Sequence, residues 1–467
     1  MKSRWALLSV TRRTGEFQRG GLILLVVFVI LFPLLFRPGV YGFDPVGYFS
    51  WVRSAVVDGD LDTMDEYAVF GNAAISGPTA TGYNHNPYPV GTALLWTPFF
   101  LTAHIGENLR ATIFNLPQPT GYETSYVFLV GIGSVIFGFT TILLLYGLSR
   151  RYFGKSAATL AALGGWLATP LVFYSYSHPT MAHAADAFVN TLVVLAWVAL
   201  RRDTPGRWFV LGAATGLAML VRTQNALLIL VPSIVLFGQL MNVLRSRGRI
   251  VSFSQSENGR TIRKWLLSVG AYSLGVLLTF LPQLFTWRIV YGSWIVGNPY
   301  SYSDAGQFYW GRLWVDRVLF STDRGLFIWS PIIALAVLGF VPLFRRDRRL
   351  AIFLTWSLIG RIMLVSMWSA PTGAISFGAR LLLNNMPAYI LGLAALAHGL
   401  LRRNWPVWSL GSVTAALIVW NFLLMAQYAT GTIPRAGLFP IGDFIVGQFT
   451  VLPSQADRIL QALITRQ

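Results

Sequence analysis

The stretch Val40-Tyr-Gly-Phe-Asp-Pro-Val-Gly-Tyr-Phe-Ser-Trp51 follows the first strongly apolar segment of the chain, residues 21–36, by only a few positions. It therefore places the Asp44 carboxylate at a membrane surface, just ahead of an amphipathic helix predicted over 44–57 with Trp51 as its interfacial anchor. In a polytopic membrane protein, a carboxylate at this position indicates chemistry on a lipid-linked substrate rather than simple transport.

The composition assigns the chain to the polytopic membrane proteins. Of its 467 residues, 54% are hydrophobic and 12% are charged, and the mean hydropathy is +0.56, which excludes an ordinary soluble domain. Eleven apolar segments are long enough to be predicted spans: 21–36, 125–148, 157–177, 181–200, 208–221, 224–243, 265–287, 325–343, 350–369, 379–400 and 406–428. We expect the first of them to be retained, because no small-residue cleavage site follows it.

The basic residues predict the orientation of these spans. With the N-terminus in the cytoplasm, the inner segments hold 23 of the 36 Lys and Arg residues but only four acids, as the positive-inside rule requires. These inner segments are 1–20, 149–156, 201–207, 244–264, 344–349 and 401–405. An odd number of spans then places the C-terminus outside. Because the cations are scattered over short loops, a nucleic-acid partner is not expected.

Two long outer segments, 37–124 and 288–324, and the tail 429–467 remain outside in this topology. A second half-apolar helix is predicted over 90–104, on or partly in the outer surface, because a crossing there would invert every later loop. The domain prediction is therefore one transmembrane catalytic domain over 1–428 with a short extracytoplasmic tail. The chain contains no cysteine, so disulfide and thiol chemistry are excluded.

Asp44 allows two interpretations. Asp followed by Pro is typical of a helix N-cap followed by the first helical residue, so the carboxylate could serve the backbone. The other interpretation makes Asp44 a general base. The acidic run from Asp58 to Glu66 is similarly ambiguous: Asp58, Asp60 and Asp62 could hold Mg²⁺, Mn²⁺ or Ca²⁺ through oxygen ligands, or they could form a solvated loop.

Several polar residues lie near the predicted membrane boundary. His178, His183 and Asp186 resemble a metal-ligand set, although His183 and Asp186 alone share a helical face and a buried hydrogen-bonded contact is the alternative. Arg222 suits bidentate binding of phosphate or snorkelling to lipid headgroups. Arg361 falls near the middle of a predicted span, where a charge must face the bundle or a wet cavity; the sequence names no partner for it.

The second outer segment is rich in aromatic residues, which suit sugar faces, isoprenoid chains or interfacial anchoring. They are Tyr291, Trp294, Tyr300, Tyr302, Phe308, Tyr309, Trp310 and Trp314. Two further stretches enter the following spans, Ser321–Pro331 with Arg324 and Trp368–Arg380 with Arg380. Arg380 falls at the outer boundary, where a lipid phosphate would lie.

In their order along residues 20–400, these features resemble the GT-C superfamily of integral-membrane glycosyltransferases. The chain is similar to the bacterial dolichyl-phosphate-mannose-type and aminoarabinose-type transferases, which use a polyprenyl-phosphate-linked sugar as donor. The stretches that carry the resemblance are Asp44-x3-Tyr48, Asp58-Gly-Asp-Leu-Asp62, Tyr88-Pro-Val-Gly91, Pro98-Phe-Phe100, Ser177-His-Pro-Thr-Met-Ala-His183, Arg222-Thr-Gln224, Asp323-Arg-Gly-Leu-Phe-Ile-Trp-Ser-Pro331 and Ser376-Phe-Gly-Ala-Arg380. Many members have a second acid directly after the essential Asp, whereas this chain has Pro45.

The resemblance implies an all-α GT-C fold with about 11 transmembrane helices and interfacial helices in a large first outer loop. It implies that Asp44 is the catalytic base, and Glu66 or Asp186 could take the place of the missing second acid. The expected substrate-binding residues are Glu66, His183, Asp186, Arg222, Arg324 and Arg380. A divalent metal, Mg²⁺ or Mn²⁺ on Asp58, Asp60 and Asp62, is a secondary expectation, since a monophosphate donor needs a metal less than a nucleotide-diphosphate sugar does.

The implied partners are a polyprenyl-phosphate-linked sugar, a lipid, glycan or protein acceptor, and the lipid bilayer. The implied location is the bacterial inner membrane, with the active site on the extracytoplasmic face. Two other classes stay open at this point: a transporter or flippase of a lipid-linked glycan, which would favour inverted repeats, and an O-antigen ligase or polymerase, which would favour its largest outer loop late in the chain.

Overall fold

The computed structural model describes residues 14–71, 77–247, 255–300, 306–373 and 375–465, and within these ranges the chain forms helices and loops with no β-sheet. Tyr302, one of the aromatic residues named above, lies outside the described residues, as does most of the inner segment 1–20. The α-helices of the described ranges are α1 Thr14–Leu35, α2 Phe43–Arg53, α3 Met64–Val69, α4 Gly91–Phe114, α5 Thr124–Phe153, α6 Lys155–Leu167, α7 His183–Ala199, α8 Pro205–Val221, α9 Leu230–Arg247, α10 Gln255–Tyr291, α11 Val315–Phe320, α12 Leu326–Trp329, α13 Ile332–Leu338, α14 Phe340–Arg346, α15 Arg348–Ser366, α16 Met386–Leu401, α17 Val407–Thr430 and α18 Ile441–Thr465.

The chain is an all-helical multi-pass membrane protein, as its composition predicted. In the described ranges, six helical segments are long and apolar enough to cross a membrane: Thr124–Phe153, Thr223–Asn242, Arg260–Tyr291, Arg348–Ser366, Arg380–Leu401 and Val407–Thr430. Shorter apolar helices cover Arg19–Leu35, His183–Ala199 and Pro205–Val221. Each of these segments coincides with a predicted span.

Two of the eleven predicted spans are helical but broken, so the described part of the chain has fewer continuous spans than expected. The segment 157–177 is interrupted after α6 at Thr169-Pro170, because proline cannot donate to a continuing helical ladder. The segment 325–343 is divided into α12, α13 and α14 by Ser330-Pro331 and by Gly339. Both interruptions are buried against neighbouring helices, where irregular backbone is tolerated at membrane depth.

Glycines allow a close crossing between α8 and α10. A Cβ atom on Gly212 would lie 2.1 Å from the carbonyl oxygen of Tyr272, and one on Gly216 would lie 2.5 Å from that of Val276. Small residues four positions apart let membrane helices approach to backbone contact, where van der Waals packing replaces the missing hydrophobic driving force. This crossing fixes the end of α8, from which Arg222 projects.

Helix α2 differs from the amphipathic interfacial helix that the sequence predicted. Its residues from Pro45 to Arg53 are buried, and Trp51, expected at the lipid interface, is 3% exposed and donates its indole N–H to the carbonyl of Tyr88 at 2.7 Å. The helix ends at Arg53 and continues as a π-helical turn, Ser54–Asp58. The described part of segment 37–124, which the sequence predicts to lie outside, therefore folds as a packed unit in which α4 contacts α2.

The later outer segments are packed onto the bundle as well. The second one forms an isolated β-bridge between Phe308 and Trp368, and the amide of Tyr309 donates to the carbonyl of Met367 at 2.7 Å. The C-terminal tail contains α18, whose Phe444 and Val451 are buried. Residues 375–380 lie beside the N-terminal ends of α2 and α7, where Arg380 contacts Asp44 and Met181, and they precede the turn that leads into α16.

Candidate active site

Asp44 lies in the first turn of α2 and joins two distant segments. Its Oδ1 accepts a hydrogen bond from the Tyr88 hydroxyl at 2.8 Å, and its Oδ2 accepts one from Arg380 Nη1 at 2.8 Å. The capping interpretation is wrong for this carboxylate, because the N-cap residue is Gly42 and no side chain caps the helix. Asp44 is thus a partly buried acceptor that serves side chains and not the helix end.

Glycines make both contacts possible. A Cβ atom on Gly47 would lie 2.0 Å from the ring of Tyr88, so the tyrosine reaches Asp44 only because this position lacks a side chain. Gly373, at φ 82°, accepts a hydrogen bond from Arg380 Nη2 through its carbonyl at 3.0 Å. Arg380 Nε is buried and has no hydrogen-bond partner among the described residues, so one N–H of this guanidinium is still available.

A second cation, Arg222, lies at the end of α8. Arg222 Nη1 donates to His183 Nδ1 at 3.2 Å, and Arg222 Nε lies 3.9 Å from Asp186 Oδ2. Because the guanidinium can only donate, His183 accepts through Nδ1 and its ring carries its proton on Nε2. His183 and Asp186 share one face of the first turn of α7, as their spacing predicted, and this face meets Arg222.

Asp186 on α7 and Arg361 on α15 belong to one buried polar network. Asp186 Oδ1 accepts from the side-chain amides of Asn190 and Asn225, each at 2.8 Å. Arg361 Nη2 donates to the amide oxygens of these same asparagines, while its Nη1 donates to Ser357 Oγ at 2.6 Å. A cavity of about 10 Å³, room for about one water, borders Arg361.

Tyr48, one turn after Asp44 on α2, connects the two cationic groups. It is 2% exposed and lies near Asp44, Asp186, Arg222 and Arg380. Its ring lies 5.0 Å from that of Tyr88, and a line of aromatic contacts continues through Tyr300 at 5.7 Å and Trp368 at 5.5 Å. These carboxylates, guanidinium groups and flat rings therefore form one cluster, the Asp44 cluster, at one end of the bundle.

Arg324 lies outside this cluster and has other partners. Its Nε donates to the carbonyl of Ser376 at 2.8 Å, its Nη2 donates to that of Pro434 at 3.1 Å, and its Nη1 pairs with Asp323. Asp323 in turn accepts from Thr372 Oγ1 at 2.9 Å. Arg324 is 1% exposed, so it braces the loop that carries Arg380.

The acidic run does not assemble as predicted. Asp60 Oδ1 accepts from Ser54 Oγ at 2.7 Å and Asp62 Oδ1 accepts from the backbone of Asn84 at 3.1 Å, so these two carboxylates brace the loop. The metal set Asp58, Asp60 and Asp62 is therefore corrected: among the described residues the converging acids are Asp58, Asp65 and Glu66.

The guanidinium group of Arg53 already lies among these three acids. Arg53 Nη1 pairs with Asp58, lies 2.7 Å from Asp65 Oδ2 and lies 3.2 Å from Glu66 Oε1. Burial raises the pKa of Glu66 to about 9, so this carboxyl is protonated at neutral pH. A metal ion here would have to displace the guanidinium, which makes the group a poor fit for Mg²⁺ or Mn²⁺. Glu66 belongs to this group and not to the Asp44 cluster.

Five members of the Asp44 cluster are among the site residues that the sequence predicts. Asp44, His183, Asp186, Arg222 and Arg380 come together as described. The sequence predicts no role for Tyr88, because its contact with Asp44 depends on the missing side chain at Gly47, which local sequence patterns do not reveal. Asn190 could have been found, because it lies one helical turn after Asp186 on the same face.

Comparison with known proteins gives one family match. Residues 126–253, about a quarter of the chain, match the family described as dolichyl-phosphate-mannose-protein mannosyltransferase. This segment contains α7 and α8 and therefore His183, Asp186 and Arg222. No curated protein sequence matches the chain significantly.

Similar solved structures include ArnT from Cupriavidus metallidurans in the apo state, with 15% identity and a TM-score of 0.47 over 93% of this chain and 76% of that one. They also include the oligosaccharyltransferase AglB from Archaeoglobus fulgidus in complex with an inhibitory peptide and a dolichol-phosphate, with 13% identity and a TM-score of 0.49 over 96% of this chain. The present chain spans 56% of the AglB chain. Over residues 126–253 the chain is therefore similar to the dolichyl-phosphate-mannose-protein mannosyltransferases, one of the two groups of transferases that its sequence resembles.

Proposed function

We propose that the protein transfers a sugar from a polyprenyl-phosphate carrier to a lipid, glycan or protein acceptor at the extracytoplasmic face of a bacterial inner membrane. The observation that carries the proposal is the contact between Asp44 and Arg380, 2.8 Å long, beside the Arg222–His183 pair. It puts a candidate base and two candidate phosphate ligands into one cluster. The family match includes the α7–α8 part of this cluster.

Asp44 is the proposed general base. Each of its oxygens accepts one hydrogen bond, and since a carboxylate offers about four acceptor sites, an acceptor hydroxyl can still bind. The hydroxyl proton passes to Asp44 while the hydroxyl oxygen forms a bond to the anomeric carbon. The bond from that carbon to the phosphate oxygen breaks, and its electron pair leaves with the polyprenyl phosphate.

Arg380 and Arg222 are the proposed phosphate ligands. Arg380 retains one buried N–H without a partner among the described residues, and Arg222 is 14% exposed at its side chain. Fixed guanidinium donors stabilise the charge that develops on the leaving phosphate. A bound phosphate would compete with Asp44 for Arg380, so donor binding would free a carboxylate oxygen for the acceptor.

Incubation of the purified protein with polyprenyl-phosphate-linked sugars tests the proposal. Mass spectrometry should show release of polyprenyl phosphate and a glycosylated product, and cell envelopes with and without the gene should differ by one sugar decoration. Parallel reactions with added Mg²⁺, Mn²⁺ or a chelator report any metal requirement. If the lipid-linked sugar crosses the membrane of a vesicle but is never consumed, the protein is a flippase and the proposal fails.

A further inference from the structure

The opposite end of the bundle contains a cavity that the proposed reaction does not use. The cavity measures about 490 Å³ and is bordered by α1, α5, α6 and α17. Its polar lining comprises Arg19, Lys155, Ser156, Thr159 and Tyr146, and its apolar lining comprises Gly20, Ile23, Leu160 and Val407. We propose that this cavity binds the headgroup of an anionic phospholipid.

The charge of the lining selects an anion. Arg19 and Lys155 are both exposed, and no described residue that lines the cavity is acidic. Lys155 and Ser156 also begin α6, a helix of 13 residues, and the free N–H groups and dipole of a helix N-terminus favour a negatively charged group. Two side-chain cations and the N-terminus of α6 therefore border the same cavity.

More basic residues lie at the ends of the helices that border the cavity. Arg150 and Arg151 lie in the last turn of α5, and Arg402 and Arg403 are exposed just before α17. Clusters of Lys and Arg beside transmembrane helices attract anionic lipids, and basic pockets between such helices bind their headgroups.

The apolar lining distinguishes a lipid from a free anion. Ile23 is 46% exposed and Val407 is 50% exposed, so both present apolar surface to acyl chains beside the polar lining. Trp405 and Trp408 are 52% and 74% exposed, as in the aromatic belt at a membrane interface. A volume near 490 Å³ lies within the usual range of small-molecule pockets.

This cavity is separate from the Asp44 cluster. Lys155 begins α6, whereas Pro170, just after the end of α6, meets Gly378 in the loop that carries Arg380. A helix of 13 residues is about 20 Å long. Lipid binding at the cavity can therefore be tested independently of sugar transfer.

The test is native mass spectrometry of the purified protein with phosphatidylglycerol, phosphatidylcholine or inorganic phosphate. Wild type should retain phosphatidylglycerol in preference to phosphatidylcholine. The double variant Arg19→Gln/Lys155→Gln should bind phosphatidylglycerol about 25-fold more weakly, since each cation near an anionic membrane surface contributes about a fivefold factor. Ser156→Trp, which fills the cavity and keeps both cations, should also lose binding.

The matched control is Arg345→Gln/Arg348→Gln, which removes two exposed cations, near the end of α14 and at the start of α15, that do not line the cavity. It should bind phosphatidylglycerol like the wild type. Equal losses in the control and the Arg19/Lys155 variant, or an unchanged Ser156→Trp variant, would indicate diffuse surface attraction and overturn the cavity site. Inorganic phosphate that displaces phosphatidylglycerol at equal concentration would overturn the lipid assignment.

Discussion

Arg380 Nη1 donates a hydrogen bond to Asp44 Oδ2 at 2.8 Å across 336 positions of the sequence. The contact ties the first outer segment to the turn that precedes α16. The side chain of Arg380 is 11% exposed and that of Asp44 is 26% exposed, so the pair is partly shielded and still open to a ligand. Both members belong to the proposed reaction, one as base and one as phosphate ligand.

Asp44→Asn is expected to abolish sugar transfer while the protein still inserts and melts normally. The amide is nearly isosteric and can accept from Tyr88, but it cannot take the acceptor proton. Loss of a general base typically lowers the rate by about 10²–10⁴. A transfer assay with the polyprenyl-phosphate donor, run beside a thermal melt, measures both effects. Near-normal turnover would remove Asp44 from the mechanism and direct attention to Asp186.

Arg380→Ala is expected to weaken donor binding and leave expression intact. The substitution removes a phosphate partner at a site that is open to a ligand. Arg380→Lys should restore only part of the affinity, because it supplies the charge without the planar fork. Titration of the lipid-phosphate-sugar into purified variants measures the affinity. Arg110→Ala is the matched control: it removes an arginine whose side chain is 58% exposed and pairs with Glu107, outside the Asp44 cluster. Unchanged affinity in Arg380→Ala would exclude this residue as the phosphate ligand.

Glu66→Gln is expected to raise the melting temperature more at pH 8 than at pH 4. Burial raises the pKa of Glu66 from 4.5 to about 9. As the pH rises from about 4.5 to about 9, the unfolded chain loses this proton and the folded chain keeps it, so the wild type loses stability across that window. Glutamine has no such proton. Melts at several pH values, with Glu107→Gln as a control carboxyl of the same outer segment, measure the difference, and parallel pH curves for wild type and Glu66→Gln would contradict it.

Arg361→Met is expected to destabilise the protein by about 3–5 kcal/mol, the usual cost of removing one member of a buried charged network. The amide oxygens of Asn190 and Asn225 would lose a donor in a buried environment. Ser357→Ala, which removes one partner and leaves the arginine in place, should cost about 1 kcal/mol. Thermal melts in one detergent compare the two variants. An unchanged melting temperature in Arg361→Met would show that the network adds no stability.

The topology prediction is tested by tags. A tag at residue 250 should report the cytoplasm, and tags at residue 65 and after residue 460 should report the outside, because 23 of the 36 basic residues lie in the proposed inner segments. The three positions together fix the orientation of the N-terminal and C-terminal parts of the bundle. A cytoplasmic C-terminus would contradict the odd number of crossings.

Features that depend on local composition follow directly from the order of the amino acids. Apolar runs identified the membrane class and the helical segments, because the bilayer selects them by length and hydropathy. Charged residues near the ends of those runs identified Asp44, Arg222 and Arg380 as candidates, since a lipid phosphate would lie at the membrane boundary and guanidinium groups suit its binding. The i, i+3 spacing correctly placed His183 and Asp186 on one face of α7.

The contacts among these groups depend instead on how the helices pack. Arg53 occupies the space among the acids that the sequence offered to a metal, Arg324 is bound to loop carbonyls, and Arg361 finds its asparagine partners on α7 and beyond α8. Each outcome follows from the long-range packing of helices. Local periodicity does not determine the relative positions of these helices. A side chain buried in the bundle must satisfy its polar atoms with whatever packing brings near it, so its partners are fixed by the fold and not by its neighbours in sequence.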